Sequence, residues 1–407
     1  MSGIYRVLKK NHAVLMLVIL LALISCNTKH DSSSAVDDPI VADMLKNIPK
    51  STIDSIPVNP AVSFVRDMKI GINIGNTLDA IGTATWIAGE TGWGNPPITR
   101  EFIRALKNYG YTTIRLPVTW AEYIGPGPDY FIQEDRMNRV KEVVNWILGE
   151  GLYCIVNLHH DGGESDRSWI LNAASDPQGV ANKLAAVWKQ IAQKFSGVSQ
   201  EKLVFESMNE VGFDRGRAGD KSEGFGILNM LNQTFVNTVR STAGNENRFL
   251  LIAGYWTDIN QSCDPLFQMP RDTTENRLIL SVHYYDPSTF CIADRPDNSW
   301  GFRDDWGTIA DYAVLTTQFY KLKTNFLEKG IPVIVGEYGV TLRNKVEKGR
   351  VKWMAAVTQT CLNYGICPIL WDTGGEISRH QPFDMRDSLE EVWAVITRYA
   401  ELAAGGH

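Results

Sequence analysis

What this chain lacks narrows it first. There is no long basic run: 40 Lys and Arg stand against 46 Asp and Glu, a formal net charge of −6 over 407 residues, which argues against nucleic acid as a partner. Cysteine is scarce, at 6 residues. With Cys26 set aside in the leader described below, Cys154, Cys263, Cys291, Cys361 and Cys367 remain, and an odd set is not a disulfide framework. Cys154 and Cys367 lie in apolar runs and read as core; Cys263 and Cys291 fall in loops, and the sequence leaves open whether they pair. The apolar stretch Ala13 to Ile24 is too short to span a bilayer as a mature helix. A dinucleotide fingerprint is also missing, because Gly71-Ile-Asn-Ile-Gly-Asn76 lacks the third Gly and the helix start. What is present is an ordinary globular balance, 44% hydrophobic and 21% charged, with 12 Trp, enough for both a core and exposed platforms.

The first residues read as an export signal. Arg6, Lys9 and Lys10 precede the apolar stretch, which closes on Leu23-Ile24-Ser25-Cys26, a pattern resembling a bacterial lipobox with cleavage before Cys26 and lipid on its sulfur. A plain secretory signal that contains a Cys is the competing reading. The expected organisation is a signal peptide over 1–25, a flexible polar tether over 26–61 and one catalytic domain over 62–407. Such a protein would be exported and lipid-anchored to a bacterial outer membrane or cell surface, with membrane contact only through Cys26, and free to reach a large substrate.

From Val62 onward short apolar runs alternate with helical patterns. Strands are expected at Met68–Asn76, Thr112–Trp120, Tyr153–Asp161, Lys202–Glu210, Arg248–Trp256, Leu278–Asp286, Ile331–Gly339 and Cys367–Gly374. Most are continuous in Val, Ile and Leu, as parallel strands covered on both faces are. Amphipathic patterns fill the gaps, except from Asp258 to Arg277. This alternation predicts an α/β fold, a single-domain (β/α)₈ TIM barrel, in preference to an open doubly wound sheet.

In such a barrel the active site lies at the C-terminal strand ends, and the polar residues gather there: Asn76, Arg115, Trp120, His159-His160-Asp161, Asn209-Glu210, His283-Tyr284-Tyr285, Glu337-Tyr338 and Trp371-Asp372. Glu210 and Glu337 end the fourth and seventh runs. Either alone reads as an ordinary ion pair at a strand end. Together on one barrel they suit a retaining glycosidase, which needs two carboxyl groups about 5–5.5 Å apart. The nucleophile has to stay ionised, helped by Arg115 and the Tyr285 hydroxyl, whereas the acid is expected in a drier place where it keeps its proton.

Several motifs, taken in order, resemble glycoside hydrolase family five: Gly71-Ile-Asn-Ile-Gly-Asn-Thr-Leu-Asp79, Ile114-Arg-Leu-Pro-Val-Thr-Trp120, Asn157-Leu-His-His160, Phe205-Glu-Ser-Met-Asn-Glu210, His283-Tyr-Tyr285, Gly336-Glu-Tyr-Gly339 and Leu370-Trp371. Glu90-Thr-Gly-Trp-Gly-Asn-Pro96 and Gly254-Tyr-Trp-Thr-Asp258 resemble its subfamily four. The resemblance implies a retaining endo-acting β-1,4-glucanase that needs no cofactor and no metal. Its substrates would be cellulose derivatives, mixed-linkage glucan and xyloglucan. Glu210 is then the acid/base and Glu337 the nucleophile, supported by Arg115, His159, Asn209, His283 and Tyr285, with Trp371 stacked under the sugar. Asn76, Trp93, His160 and Trp256 are the further expected substrate contacts, the partner is a β-glucan polysaccharide, and the protein is expected to work as a monomer. Val211 departs from the pattern, which commonly has Pro there.

Other readings compete. A xyloglucan-specific enzyme or a β-mannanase would use the same fold. A non-catalytic glycan-binding lipoprotein would explain the anchor and the Trp, but it should have lost a Glu or Arg. His159, His160, His283 and Asp372 are of metal-ligating types, although His159 and His160 would point to opposite faces if they continue a strand. Trp300 and Trp306 are further candidates for sugar stacking; Trp146, Trp188 and Trp353 lie in helices and read as packing.

Overall fold

The computed structural model describes residues 38–82, 89–163, 165, 167–213 and 220–405. The signal peptide, Cys26 and the first part of the expected tether lie outside these residues.

Eight parallel strands close into a barrel in chain order: β1 (Gly71–Asn73), β2 (Thr113–Leu116), β3 (Tyr153–Asn157), β4 (Leu203–Glu206), β5 (Leu250–Ala253), β6 (Leu278–Tyr284), β7 (Val333–Tyr338) and β8 (Cys367–Leu370). The principal helices are α1 (Pro39–Asn47), α2 (Pro60–Met68), α3 (Arg100–Asn108), α4 (Glu134–Gly149), α5 (Pro177–Lys194), α6 (Lys221–Arg240), α7 (Ile259–Ser262), α8 (Ser288–Cys291), α9 (Ile309–Asn325), α10 (Glu347–Tyr364) and α11 (Asp387–Gly405). Every expected strand is present but shorter. Past the ladders the backbone still follows the barrel wall, as when His159 N–H donates to Val118 O at 2.8 Å and Asn209 N–H to Leu158 O at 2.9 Å. The stretch after β5 that lacked a helical pattern holds only the four-residue α7.

One end of the barrel is plugged. Pro60 starts α2, and Asn59 accepts the Val62 N–H as its cap. Ala61, Phe64, Val65 and Met68 then bury against inward-facing Ile155, Val204, Phe249, Leu251, Ile279, Ile334, Cys367 and Ile369, with Phe64 stacked on Phe249 at 3.8 Å between ring centroids. The opposite, C-terminal mouth is left to polar residues.

The tether expectation is corrected over its second half. Asp38 caps α1, whose Ile40, Val41 and Met44 are buried, and α1 packs against α11 and α9. Asn363 donates to Pro49 O at 2.6 Å. The domain therefore begins by Asp38, and a boundary at 62 would cut α2. Polar residues on the outer face of a short amphipathic helix hid its three buried positions. The five remaining cysteines are all free, Cys263 half-buried and Cys291 buried, so these two do not pair.

Candidate active site

Arg115 organises the mouth. It enters from β2, is fully buried, and divides its donors among four partners. Nε donates to Glu206 at 2.8 Å, Nη1 to Asn73 at 3.0 Å and to Glu337 at 2.7 Å, and Nη2 to Asn209 at 2.8 Å. Burial alone would weaken its charge, but Glu206 and Glu337 outweigh that and raise its pKa further. Glu337, on β7, takes a second donor at its other oxygen, the Tyr285 hydroxyl at 3.1 Å. Burial holds the Tyr285 phenol well above its ordinary pKa, so it remains a donor. Glu210 lies four residues beyond the end of β4 and bonds to His283 Nδ1 at 2.8 Å.

Glu210 and Glu337 each place a carboxylate oxygen within 4.8 Å of the other. That is the separation class of a retaining pair; an inverting pair needs about 6.5–9.5 Å to admit a water. The two environments differ in a way the sequence did not anticipate. The Glu337 side chain is 7% exposed and that of Glu210 is 41% exposed, so the expected acid, Glu210, occupies the wetter place. Burial raises the Glu337 carboxyl above its ordinary value, against the pull of Arg115. Burial also pushes Glu210 up, but the His283 hydrogen bond and the Arg115 charge outweigh it and hold Glu210 low. Carboxyls this close titrate as a pair.

Around the pair lies a cleft of about 790 Å³. Its lining includes His159, His160, Asn209, Trp256, Tyr285 and Trp371, with an aliphatic wall of Ile292, Val340 and Leu342. Trp371 stacks parallel to the His159 ring, centroids 5.6 Å apart. Both cleft tryptophans rest on glycine: a Cβ at Gly75 would come within 3.0 Å of the Trp371 ring, and one at Gly212 within 2.2 Å of the Trp256 indole. Val211, the residue that departs from the family pattern, is buried, and its carbonyl accepts the Trp256 N–H at 2.8 Å. This bond ties the chain after β4 to the Trp256 backbone.

Asn76 and Trp93 stand behind residues of the cleft lining, Trp93 against His160 and Asn76 joined through Asn95 to Thr373. Asn76 sits in a turn, its N–H given to Asp79 at 3.0 Å, and Trp93 donates to Ile81 O at 3.0 Å while its ring packs against His160. Trp306 is buried against Tyr312 and so is not a platform; Trp300 is exposed. Trp188 and Trp353 are buried as packing residues.

His159 and His160 do not face opposite ways. β3 has ended at Asn157, strand alternation no longer applies, and their ring centroids are 4.6 Å apart. Burial lowers both, His160 to about 4, so both are neutral imidazoles at neutral pH. Among the described residues two groups bring ligand-type atoms within 4.8 Å: Asp79 with His159 and His160, and Glu210 with His283 and Glu337. Asp79 already accepts the N–H groups of Asn76 and Thr77. Asp372 joins neither group: it accepts from Gly374 and Glu376 N–H and pairs with Arg379 at 3.1 Å.

Sequence reasoning passed over Glu206, Asn73, Ser281 and Asp79. A signal for Glu206 was available, since a carboxylate inside the apolar run Leu203-Val-Phe-Glu206 has to find a buried partner.

A closed parallel barrel whose open mouth holds two carboxylates at retaining distance, beside a ring-lined cleft, defines a glycoside hydrolase. The family model described as cellulase (glycosyl hydrolase family 5) matches residues 78–376. Endoglucanase A of Paenibacillus barcinonensis is 36% identical over 337 residues, 77% of this chain and 82% of that protein. A xyloglucan-specific endo-β-1,4-glucanase of Bacteroides ovatus is 33% identical over 330 residues, 75% of this chain and 64% of that one. A solved GH5-4 broad specificity endoglucanase from an uncultured bovine rumen ciliate superposes with a TM-score of 0.75 at 34% identity, covering 86% of this chain and 99% of that one. The chain belongs to glycosyl hydrolase family 5 and is an endoglucanase of its subfamily 4.

Proposed function

We propose that Glu337 is the nucleophile and Glu210 the acid/base of a double displacement at internal β-1,4-glucosidic bonds. The carrying observation is that both Glu337 oxygens are pinned by donors, Arg115 and Tyr285, while an oxygen of Glu210 lies within 4.8 Å. A carboxylate held at both oxygens presents a fixed lone pair to an anomeric carbon; one held at a single oxygen can turn toward the leaving group and later toward water. Burial raises the Glu337 carboxyl, and the His283 hydrogen bond and Arg115 charge lower that of Glu210, whereas catalysis needs the higher value on Glu210. Substrate supplies the reversal: a sugar over the cleft strips water from the more exposed Glu210 and raises it, while Glu337 keeps Arg115 and Tyr285. His159, Asn209 and His283 support the pair, and His160, Trp256 and Trp371 hold the glucan chain.

The substrate is a β-glucan polysaccharide, and one chain carries the whole site, in keeping with action as a monomer. Proton NMR of the first-formed anomer tests the mechanism: net retention is expected, and an inverted product would sink it. Initial rates on xyloglucan, carboxymethyl cellulose, barley glucan and mannan rank the substrates; no turnover of any of them would leave only a glycan-binding role. The leader supports export and lipid attachment at Cys26, placing the enzyme on a bacterial outer membrane or cell surface.

A further inference from the structure

Glu206 has no part in the mechanism above, yet it is fully buried directly beneath it. One oxygen takes the Arg115 Nε–H at 2.8 Å and the other the Ser281 hydroxyl at 2.6 Å. Arg115 thus stands between two anions, Glu206 and Glu337, with no solvent on any side. In the first displacement a Glu337 oxygen bonds to the anomeric carbon, the glycosidic C–O bond breaks, and the leaving oxygen takes the Glu210 proton. The negative charge moves from Glu337 to Glu210, and Glu337 becomes a neutral ester. Were Glu337 the sole anion on Arg115, this step would leave a buried guanidinium facing a neutral group, a costly state.

We propose that Glu206 is the standing counter-ion of Arg115, a positioning residue that keeps the guanidinium paired and aimed while Glu337 is covalently occupied. The inference rests on reading Glu337 as the nucleophile. By dividing the Arg115 charge, Glu206 also keeps Glu337 from being paired so tightly that it attacks poorly.

The test is the rate of covalent trapping by 2,4-dinitrophenyl 2-deoxy-2-fluoro-β-cellobioside, followed by intact mass and peptide mapping of the full chain. Glu206→Gln keeps the shape and an acceptor for Arg115 but removes the charge. Trapping about ten- to hundredfold slower than in the parent is expected, with partial recovery in Glu206→Asp. The acid limb of the kcat/KM profile should also move to lower pH, because Glu337 then holds the whole Arg115 charge. A folded Glu206→Gln protein that traps as fast as the parent, with its acid limb unmoved, overturns the proposal. If the parent itself forms no adduct at Glu337, it is the assignment of the nucleophile that falls. Should Glu206→Gln fail to fold, Ser281→Ala leaves the charge but removes its hydrogen bond; the acid limb should then move to higher pH, and an unmoved limb refutes the idea.

Discussion

Arg115 shows how one side chain sets the roles of others. Four of its five N–H groups are spent on two carboxylates and two amide oxygens, so the planar fork fixes Glu337, Asn209 and Asn73 relative to one another. The two glutamates of the pair differ through this fork, Glu337 being held by it and Glu210 by a histidine. Replacing them should separate their tasks. Glu337→Ala is expected to abolish turnover on every substrate. Glu210→Ala should lose about 10²–10⁴-fold on polysaccharide but keep much of its rate on aryl glycosides with good leaving groups, which need little protonation. Parallel assays on the two substrate types check this, and equal losses in Glu210→Ala would contradict the assignment. Most of these residues were readable in sequence, because polar groups ending apolar runs are conspicuous. Glu206 was legible only as a buried carboxylate in need of a partner; that the partner is Arg115 depends on another strand.

At the scale of elements, the two N-terminal helices decide which end of the barrel is closed and where the fold begins. α2 fills the N-terminal end with Phe64, Val65 and Met68, which leaves the polar C-terminal mouth as the open one. α1 covers the outer helices with Ile40, Val41 and Met44. Met44 separates a packed helix from a tether. In a tether Met44→Ala would leave stability unchanged; with its side chain fully buried, the substitution should cost about 2–5 kcal/mol, read from urea denaturation. The boundary was misread because α1 contributes only one narrow apolar stripe, flanked by Asp38, Asp43 and Lys46, and its burial depends on α9 and α11, far away in sequence.

For the whole molecule, a barrel that begins by Asp38 leaves 37 residues before it, of which those after Cys26 would join the anchor to the fold. Cys26→Ser is expected to move the protein from the membrane fraction to the soluble exported fraction in a bacterial host, with its glucanase rate on soluble substrates intact; continued membrane association would refute the anchor. The order of elements, the barrel and the identity of the carboxylate pair were determined by sequence alone, because hydrophobic periodicity and strand-end polarity are local properties of the chain. Three matters were decided only by the tertiary structure: that Glu210 is wetter than Glu337, that Arg115 is shared with Glu206, and that residues from 38 onward belong to the fold. Each depends on distances between segments remote in sequence, and exposure and charge sharing are set by what the folded chain brings alongside a residue.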